Sequence, residues 1–441
     1  DKTIEQCLND FDNSILPALQ EYVKIPNLSP DYDKEYFTNG LIEKAAKLML
    51  DWALSQGIKG ITGEIITEPN RTPLIFIQVE PFGSDKNILF YAHMDKQPPL
   101  GQWDEGLAPT TPVIRGDYLY GRGASDDGYG LFALVESVKL IQSQNGKHGK
   151  ISMTIEAGEE SGSPDLIYYI KKLSDRIGVP DLMLCSDSGC KDYNTIWLTT
   201  SLRGVFSVNL TVECLKEPIH SGSGSGICPD SFSVMRQLLD RLDDSKTGKV
   251  LAPIGVEIPS YRIEDAKKLA EYQKEKVITD MVKLGDNVKA LSDYYAEIIL
   301  NNTWRPTCVV VGMSGFPEVD NAGNVLRDKT TCKISCRIPP LIDNEKAQNA
   351  VVEILEQDPP FNSKITVKKN MGGNGWAAKD MNPKLKESFS KSAMKLFGKD
   401  YYNCGEGGSI PFVFELGDLF PACEMIVTGV LGPLSNEPCI N

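Results

Sequence analysis

The residue pattern is that of an α/β protein whose sheet domain is interrupted by an inserted α+β domain. Short apolar runs alternate with helix-periodic stretches over the first two hundred residues, as strands and helices layered on one sheet require. After Arg203 the pattern becomes alternating strands facing helices, and from about Pro383 it returns to helix, turn and strand. One histidine and several carboxylates stand just past the ends of the apolar runs, where open α/β sheets gather ligand-binding groups. The expected division is 1–203 with 373–441 as a discontinuous metal-binding domain, and 204–372 as the insert.

Residues 4–23 have helical spacing, which Pro26 and Pro30 end, and 38–55 give a second helix. PLIFIQVE and NILFYAH read as strands, the first introduced by the turn sequence EPNRTP. A helix over 128–142 precedes strand ISMTIEA, and a helix over 161–173 precedes strand DLMLCSD. In the insert, GVFSVNLTVEC alternates as a half-buried strand and SFSVMRQLLDRL is a helix. The charged stretch 264–289 is expected to be mainly helical and exposed. TCVVVGMSG and TTCKISCRIPP are strands, LIDNEKAQNAVVEILEQ is a helix, and NSKITVKKN is the last strand.

Composition narrows the function. At 441 residues, 41% apolar and 24% charged, the chain can bury a substantial core. A formal charge of -14 with scattered Lys and Arg argues against nucleic acid or an anionic membrane as the main partner. The apolar runs are too short to span a bilayer. Eleven irregularly spaced cysteines, with CSDSGC departing from CxxC spacing, read as free thiols of a reducing compartment rather than a disulfide scaffold. The start of the chain is amphipathic, without a basic-then-apolar signal segment; it lacks Met, which leaves a processed leader open. Cytoplasm is the expected location.

His93 and Asp95 lie two apart just beyond a strand, so an imidazole nitrogen can face a metal while the carboxylate fixes the opposite ring nitrogen. Asp126 and Asp127 sit in GRGASDDGYG, where a carboxylate could bridge two ions; an Asp-rich helix cap is the alternative. Glu159 and Glu160 precede a helix, and capping accounts for one better than for both. One as ligand and the other as general base would divide the roles. Asp187, ending DLMLCSD, is either another ligand or a turn cap. One imidazole with several carboxylates suits zinc or a similar divalent ion.

Taken together, these motifs resemble the M20 family of dinuclear zinc peptidases and amidohydrolases, its carnosinase-like dipeptidases in particular, over nearly the whole chain. The resemblance implies a zinc-peptidase-like catalytic domain with an inserted lid and dimerisation domain. By it, YAHMDKQPP makes His93 a ligand of the first metal and Asp95 its orienting partner. GRGASDDGYG makes Asp126 the bridging ligand, followed by a cis peptide bond. EAGEESGS makes Glu159 the general base and Glu160 a ligand of the second metal, and CSDSG makes Asp187 a ligand of the first. Two zinc ions per subunit are implied, with manganese or cobalt as alternatives. EPIHSG supplies His220, an oxyanion donor that in the family often serves the neighbouring subunit of a homodimer. Asn324 belongs with His220 near the scissile carbonyl. Arg337 of CRIPP and the Gly408–Ser409 turn suit a substrate carboxylate. Arg305 of NTWRP is a further substrate contact, or a surface or interdomain salt bridge.

The chain departs from the family at one ligand. The resemblance implies a final histidine near the C-terminus, beside an Asn and a Glu; GVLGPLSNEPCIN has those surroundings, yet no histidine follows His220. His148, in QNGKHGK, is expected in a polar loop and does not match. Residues absent from the chain as given, truncation, and genuine loss of the second site are the three explanations, the first two favoured. The expected activity is hydrolysis of a peptide bond in dipeptides or very short peptides, with closure between the domains bringing in His220. Deacylation of N-acyl amino acids is the alternative within hydrolases, and a catalytically impaired metal-binding scaffold the alternative outside them.

Overall fold

The computed structural model describes residues 2–435. The chain divides into two compact units. The first comprises residues up to Thr199, Met381–Tyr402 and those from Glu415 on; the second comprises Thr200–Asp380 and Asn403–Phe414. These boundaries depart from the expected ones, lying at 199/200 where 203/204 was expected and at 380/381 where 372/373 was expected. They also move 403–414 into the second unit, where Arg203 Nε donates to Gly407 O and Ser409 Oγ donates to Arg203 O.

In the first unit the chain opens with helices α1 (Lys2–Asp10) and α2 (Leu16–Val23), joined by a π-helical turn, and α3 (Leu41–Leu54). Strands β1 (Ile61–Ile66), β2 (Leu74–Val79) and β3 (Gly83–His93) follow. After them come α4 (Tyr129–Ser143), β4 (His148–Glu156), α5 (Leu166–Lys172), β5 (Leu182–Cys185) and β6 (Trp197–Leu202), whose residues from Thr200 on belong to the second unit. Spatially the strands run β1, β2, β4, β3, β5, then Glu424–Val427 and β6. β3 is parallel to both β4 and β5, and Glu424–Val427 is parallel to β5, while β1, β2 and β6 pair antiparallel. The sheet is therefore mixed. Covered central strands explain the apolar runs: Leu74 to Ile77 and Leu89 to His93 are buried throughout. Ile75, Ile77, Phe90, Ile151 and Met153 pack with Tyr22, Met49, Phe132 and Val135 from α2, α3 and α4.

The second unit is an antiparallel sheet in the order β8 (Thr307–Ser314), β9 (Lys329–Ile338), β7 (Gly204–Glu213), β10 (Lys364–Gly373). β7 buries every second residue, so Phe206, Val208, Leu210 and Val212 face α6 (Ser231–Leu239) and α7 (Asn344–Glu356) across one apolar layer. β8 and β10 are its two edge strands.

Several elements differ from expectation. Glu159–Ser161 is a single 3-10 turn, and α5 starts only at Leu166, because Gly162 and Ser163 take positive φ and Pro164 follows. The stretch 264–289 is helical over Ser260–Gln273, which ends where Lys274 adopts φ +53°, and over Lys276–Thr279, but from Asp280 to Tyr294 the chain is irregular, so the helix stops short of the expected end. β1 and β6 were not anticipated: ITGEII is a half-buried edge strand, and WLTTSL carries Thr and Ser into the interior. His148 lies buried at the start of β4, not in a loop. The ten described cysteines are free thiols. No helix among the described residues is long and apolar enough to cross a membrane.

Candidate metal centre

β3, β4 and β5 run parallel and end together, so the residues just past them converge. His93 closes β3, fully buried. Its Nδ1 lies 3.2 Å from Asp95 O and 3.4 Å from Asp95 Oδ1, acceptors that fix the ring proton on Nδ1. Nε2 is thereby left to face the cluster, 3.2 Å from Asp126 Oδ1, 3.7 Å from Asp187 Oδ1 and 4.0 Å from Glu159 Oε2.

Asp95 acts on both sides of the cluster. Buried completely, it takes the Glu159 N–H on Oδ1 at 3.1 Å and the Glu160 N–H on Oδ2 at 3.0 Å. The acidic turn after β4 is thus pinned to the strand end carrying His93. The Asp126–Asp127 peptide is cis, and the two carboxylates part company there. Asp126 faces His93 Nε2, whereas Asp127 is buried behind it and accepts from His93 N–H and Ser186 Oγ, each at 3.2 Å. Gly130 lets α4 settle onto this layer: a Cβ there would lie 2.6 Å from Ser186 Oγ and 2.7 Å from Asp127 Oδ2.

Among the described residues, two donor groups could hold a metal, His93 with Glu159 and Asp187, and His93 with Asp126 and Glu160, the donor atoms of each lying within 4.8 Å of one another. Glu160 Oε2 accepts from Gln97 Nε2 at 2.6 Å, while its Oε1 is buried without a hydrogen-bond partner. Burial, then Asp126, pushes the Glu160 carboxyl up to about 8. Burial raises Asp187 to about 6, His93 opposing and Asp126 adding to the shift. Glu159 is held well above its ordinary range by burial and Asp187. Burial also works to raise Asp126, but the His93 ring and Arg122 outweigh it and hold that carboxyl low. Crowded carboxylates in a buried place require protons or cations, and a divalent ion fits this imidazole-and-carboxylate set.

Of the remaining candidates, His220 and Asn324 adjoin each other in the second unit. Ser221 N–H donates to Asn324 O at 2.9 Å, and His220 pairs with Val325. His220 is exposed and caps the turn Ser221–Gly224, its Nδ1 accepting from Gly222 N–H at 3.2 Å. An accepting Nδ1 carries no proton, which leaves Nε2–H free to donate. Arg337 Nη1 donates to Ser409 Oγ at 3.1 Å, next to Gly408. Arg305 instead holds Glu297 at 2.6 Å and Asn301 at 2.7 Å, the salt-bridge alternative.

Three further residues, Gln97, Arg122 and Lys96, adjoin the cluster without a signal of their own in the sequence. Lys96 Nζ donates to the carbonyls of Tyr22, Val23 and Ile25, capping α2 beneath the cluster. All three residues lie within motifs already marked, which was their only signal. The stretch GVLGPLSNEPCIN, which has the surroundings of the family's final histidine but no histidine, lies partly at 436–441, outside the described residues.

A profile of peptidase family M20/M25/M40 matches residues 89–436. The chain is 25% identical over 359 residues to a cysteinylglycine-S-conjugate dipeptidase of Corynebacterium striatum, covering 81% of this chain and 76% of that one. It is 26% identical over 439 residues to the Cys-Gly metallodipeptidase DUG1 of Saccharomyces cerevisiae, covering 94% and 88%. Its fold is similar to that of the M20 family metallo-carboxypeptidase Sso-CP2 from Sulfolobus solfataricus, with a TM-score of 0.70 and 21% identity over 96% of this chain and 92% of that one.

Proposed function

This chain belongs to peptidase family M20/M25/M40, and from that premise we propose that it hydrolyses the peptide bond of dipeptides or very short peptides with zinc as its metal. The convergence of His93, Asp126, Glu159, Glu160 and Asp187 around an imidazole whose tautomer Asp95 fixes carries this reading. His93, Asp187, Asp126 and Glu160 would hold the ions, which when bound polarise the scissile carbonyl and acidify the attacking water.

Glu159 takes the proton from that water and returns it to the leaving amine. Burial suits it to the task, since a carboxyl raised well above its ordinary range is a stronger base once ionised. Asp95, through the Glu159 and Glu160 amides, keeps base and ligand in register. His220 donates from Nε2 to the developing oxyanion, with Asn324 beside it. Arg337, Ser409 and the Gly408 backbone receive the substrate's carboxylate. The exposed edge strand β8, with Val309, Val310, Val311 and Met313 about half exposed, supports a homodimer formed by a second copy.

The names of the curated relatives favour a dipeptidase over a deacylase. The metal-loaded full chain should turn over a dipeptide at least ~100-fold more efficiently than the matched N-acyl amino acid, because its site must then engage a free amine. Equal or reversed preference would make it a deacylase. No turnover of either, with metal bound, would favour the scaffold alternative.

A further inference from the structure

Arg203, at the start of the second unit, is only 6% exposed, and neutral acceptors alone hold its guanidinium. Nε donates to Gly407 O at 3.2 Å, and Nη1 donates to Thr307 Oγ1 at 3.4 Å and to Arg305 O at 3.5 Å. The turn comes close enough that a Cβ on Gly407 would lie 3.2 Å from Arg203 Nη2. The main chain of Arg203 closes the circuit: its carbonyl accepts from Ser409 Oγ at 2.5 Å, and that hydroxyl oxygen accepts from Arg337 Nη1 at 3.1 Å. Thr307 and Arg337 are themselves partners in the β8–β9 register.

Two guanidiniums therefore bracket one turn, and among the described residues neither has a carboxylate partner. Burial, then the nearby Arg337, pushes the Arg203 guanidinium down to about 10. Like charges in a partly desolvated place remain there only if an anion answers them or the site tolerates their repulsion. A planar carboxylate matches the fork that Arg337 presents.

We propose that Arg203 is a specificity-determining positioning residue, which holds Arg337 and the Gly407–Ser409 turn as a receptor that makes the enzyme demand a free carboxylate on its substrate. It acts through Ser409, Thr307 and Gly407 and does not grip the substrate itself. The inference rests on the reading of Arg337 and the Gly408–Ser409 turn as the carboxylate site.

The test compares a dipeptide with its C-terminal amide on the metal-loaded full chain, for wild type, R203M, R203K and R337M, with melting temperatures as the check on folding. Wild type should prefer the acid by about 100-fold or more in kcat/KM. R203M should cut that preference at least about ten-fold, through a raised KM for the acid, with kcat and the amide kinetics little changed. R203K, which keeps the charge and loses the fork, should fall between them; it also serves if R203M does not fold. An Arg203 variant that slows acid and amide alike, or leaves the preference intact while R337M abolishes it, overturns this inference alone. A wild type without preference, or an R337M that keeps it, removes the carboxylate site and this inference with it.

Discussion

Asp95 divides its carboxylate between the His93 ring and the amides of Glu159 and Glu160, so one side chain sets the aim of both a proposed ligand and the proposed base. D95A should weaken metal binding about 10–100-fold, as loss of an orienting partner does elsewhere, with the fold retained by circular dichroism. Protonation gives a second prediction. The metal-free protein holds protons on Asp187 up to about pH 6 and on Glu160 up to about pH 8, and a metal must displace them. Affinity should rise with pH from below 6 to about 8 and then level off, with proton release visible by calorimetry in buffers of different ionisation enthalpy. A pH-independent affinity would contradict this charge picture. Each proposed ligand was legible in sequence because a hydrophilic residue at the end of a buried strand stands out. The supporting roles of Asp127, Lys96 and Arg203 were not, since their partners come from segments tens of residues away and only folding brings them together.

At the level of elements, the parallel β3, β4 and β5 could be read from their apolar runs, while β1 and β6 could not. β6 places buried Thr199, Thr200 and Ser201 between the buried Leu198 and Leu202, and this polar centre breaks the apolar run that marks the other strands. Helix contacts hide a comparable case. Glu136 of α4 lies buried beside Asp10 of α1, with Lys139 Nζ 2.8 Å from Asp10 and 3.6 Å from Glu136. Burial raises the Glu136 carboxyl to about 7, Lys139 opposing the shift. The folded chain then keeps a proton that the unfolded chain releases near pH 4.5, so this group's contribution to stability falls as pH rises from about 4.5 to 7. E136Q should match wild type near pH 4 and exceed it at pH 8 by an amount on the order of 1 kcal/mol, read from unfolding curves. Identical pH profiles would show that Glu136 is ionised in the fold. G130A tests the packing of α4: the intruding methyl should cost about 1–3 kcal/mol.

For the whole molecule, the two-part organisation was visible as the change of pattern at Arg203, because alternation with period two replaces longer apolar runs there. The return of 403–414 to the second unit was not visible, since it depends on the bonds of Arg203 to Gly407 and Ser409. The same unit exposes the apolar edge strand β8, and V311D should shift a dimer to monomer in sedimentation, while a dimer that persists would place the interface elsewhere. The central claim is hydrolysis by the cluster around His93, and metal content measured together with dipeptide turnover on wild type and E159Q tests it most directly. Wild type should hold about two zinc ions per chain, and E159Q should keep its metal with turnover reduced at least ~1,000-fold. An E159Q enzyme that still turns over near the wild-type rate, or a wild type that hydrolyses dipeptides with no bound metal, would contradict it.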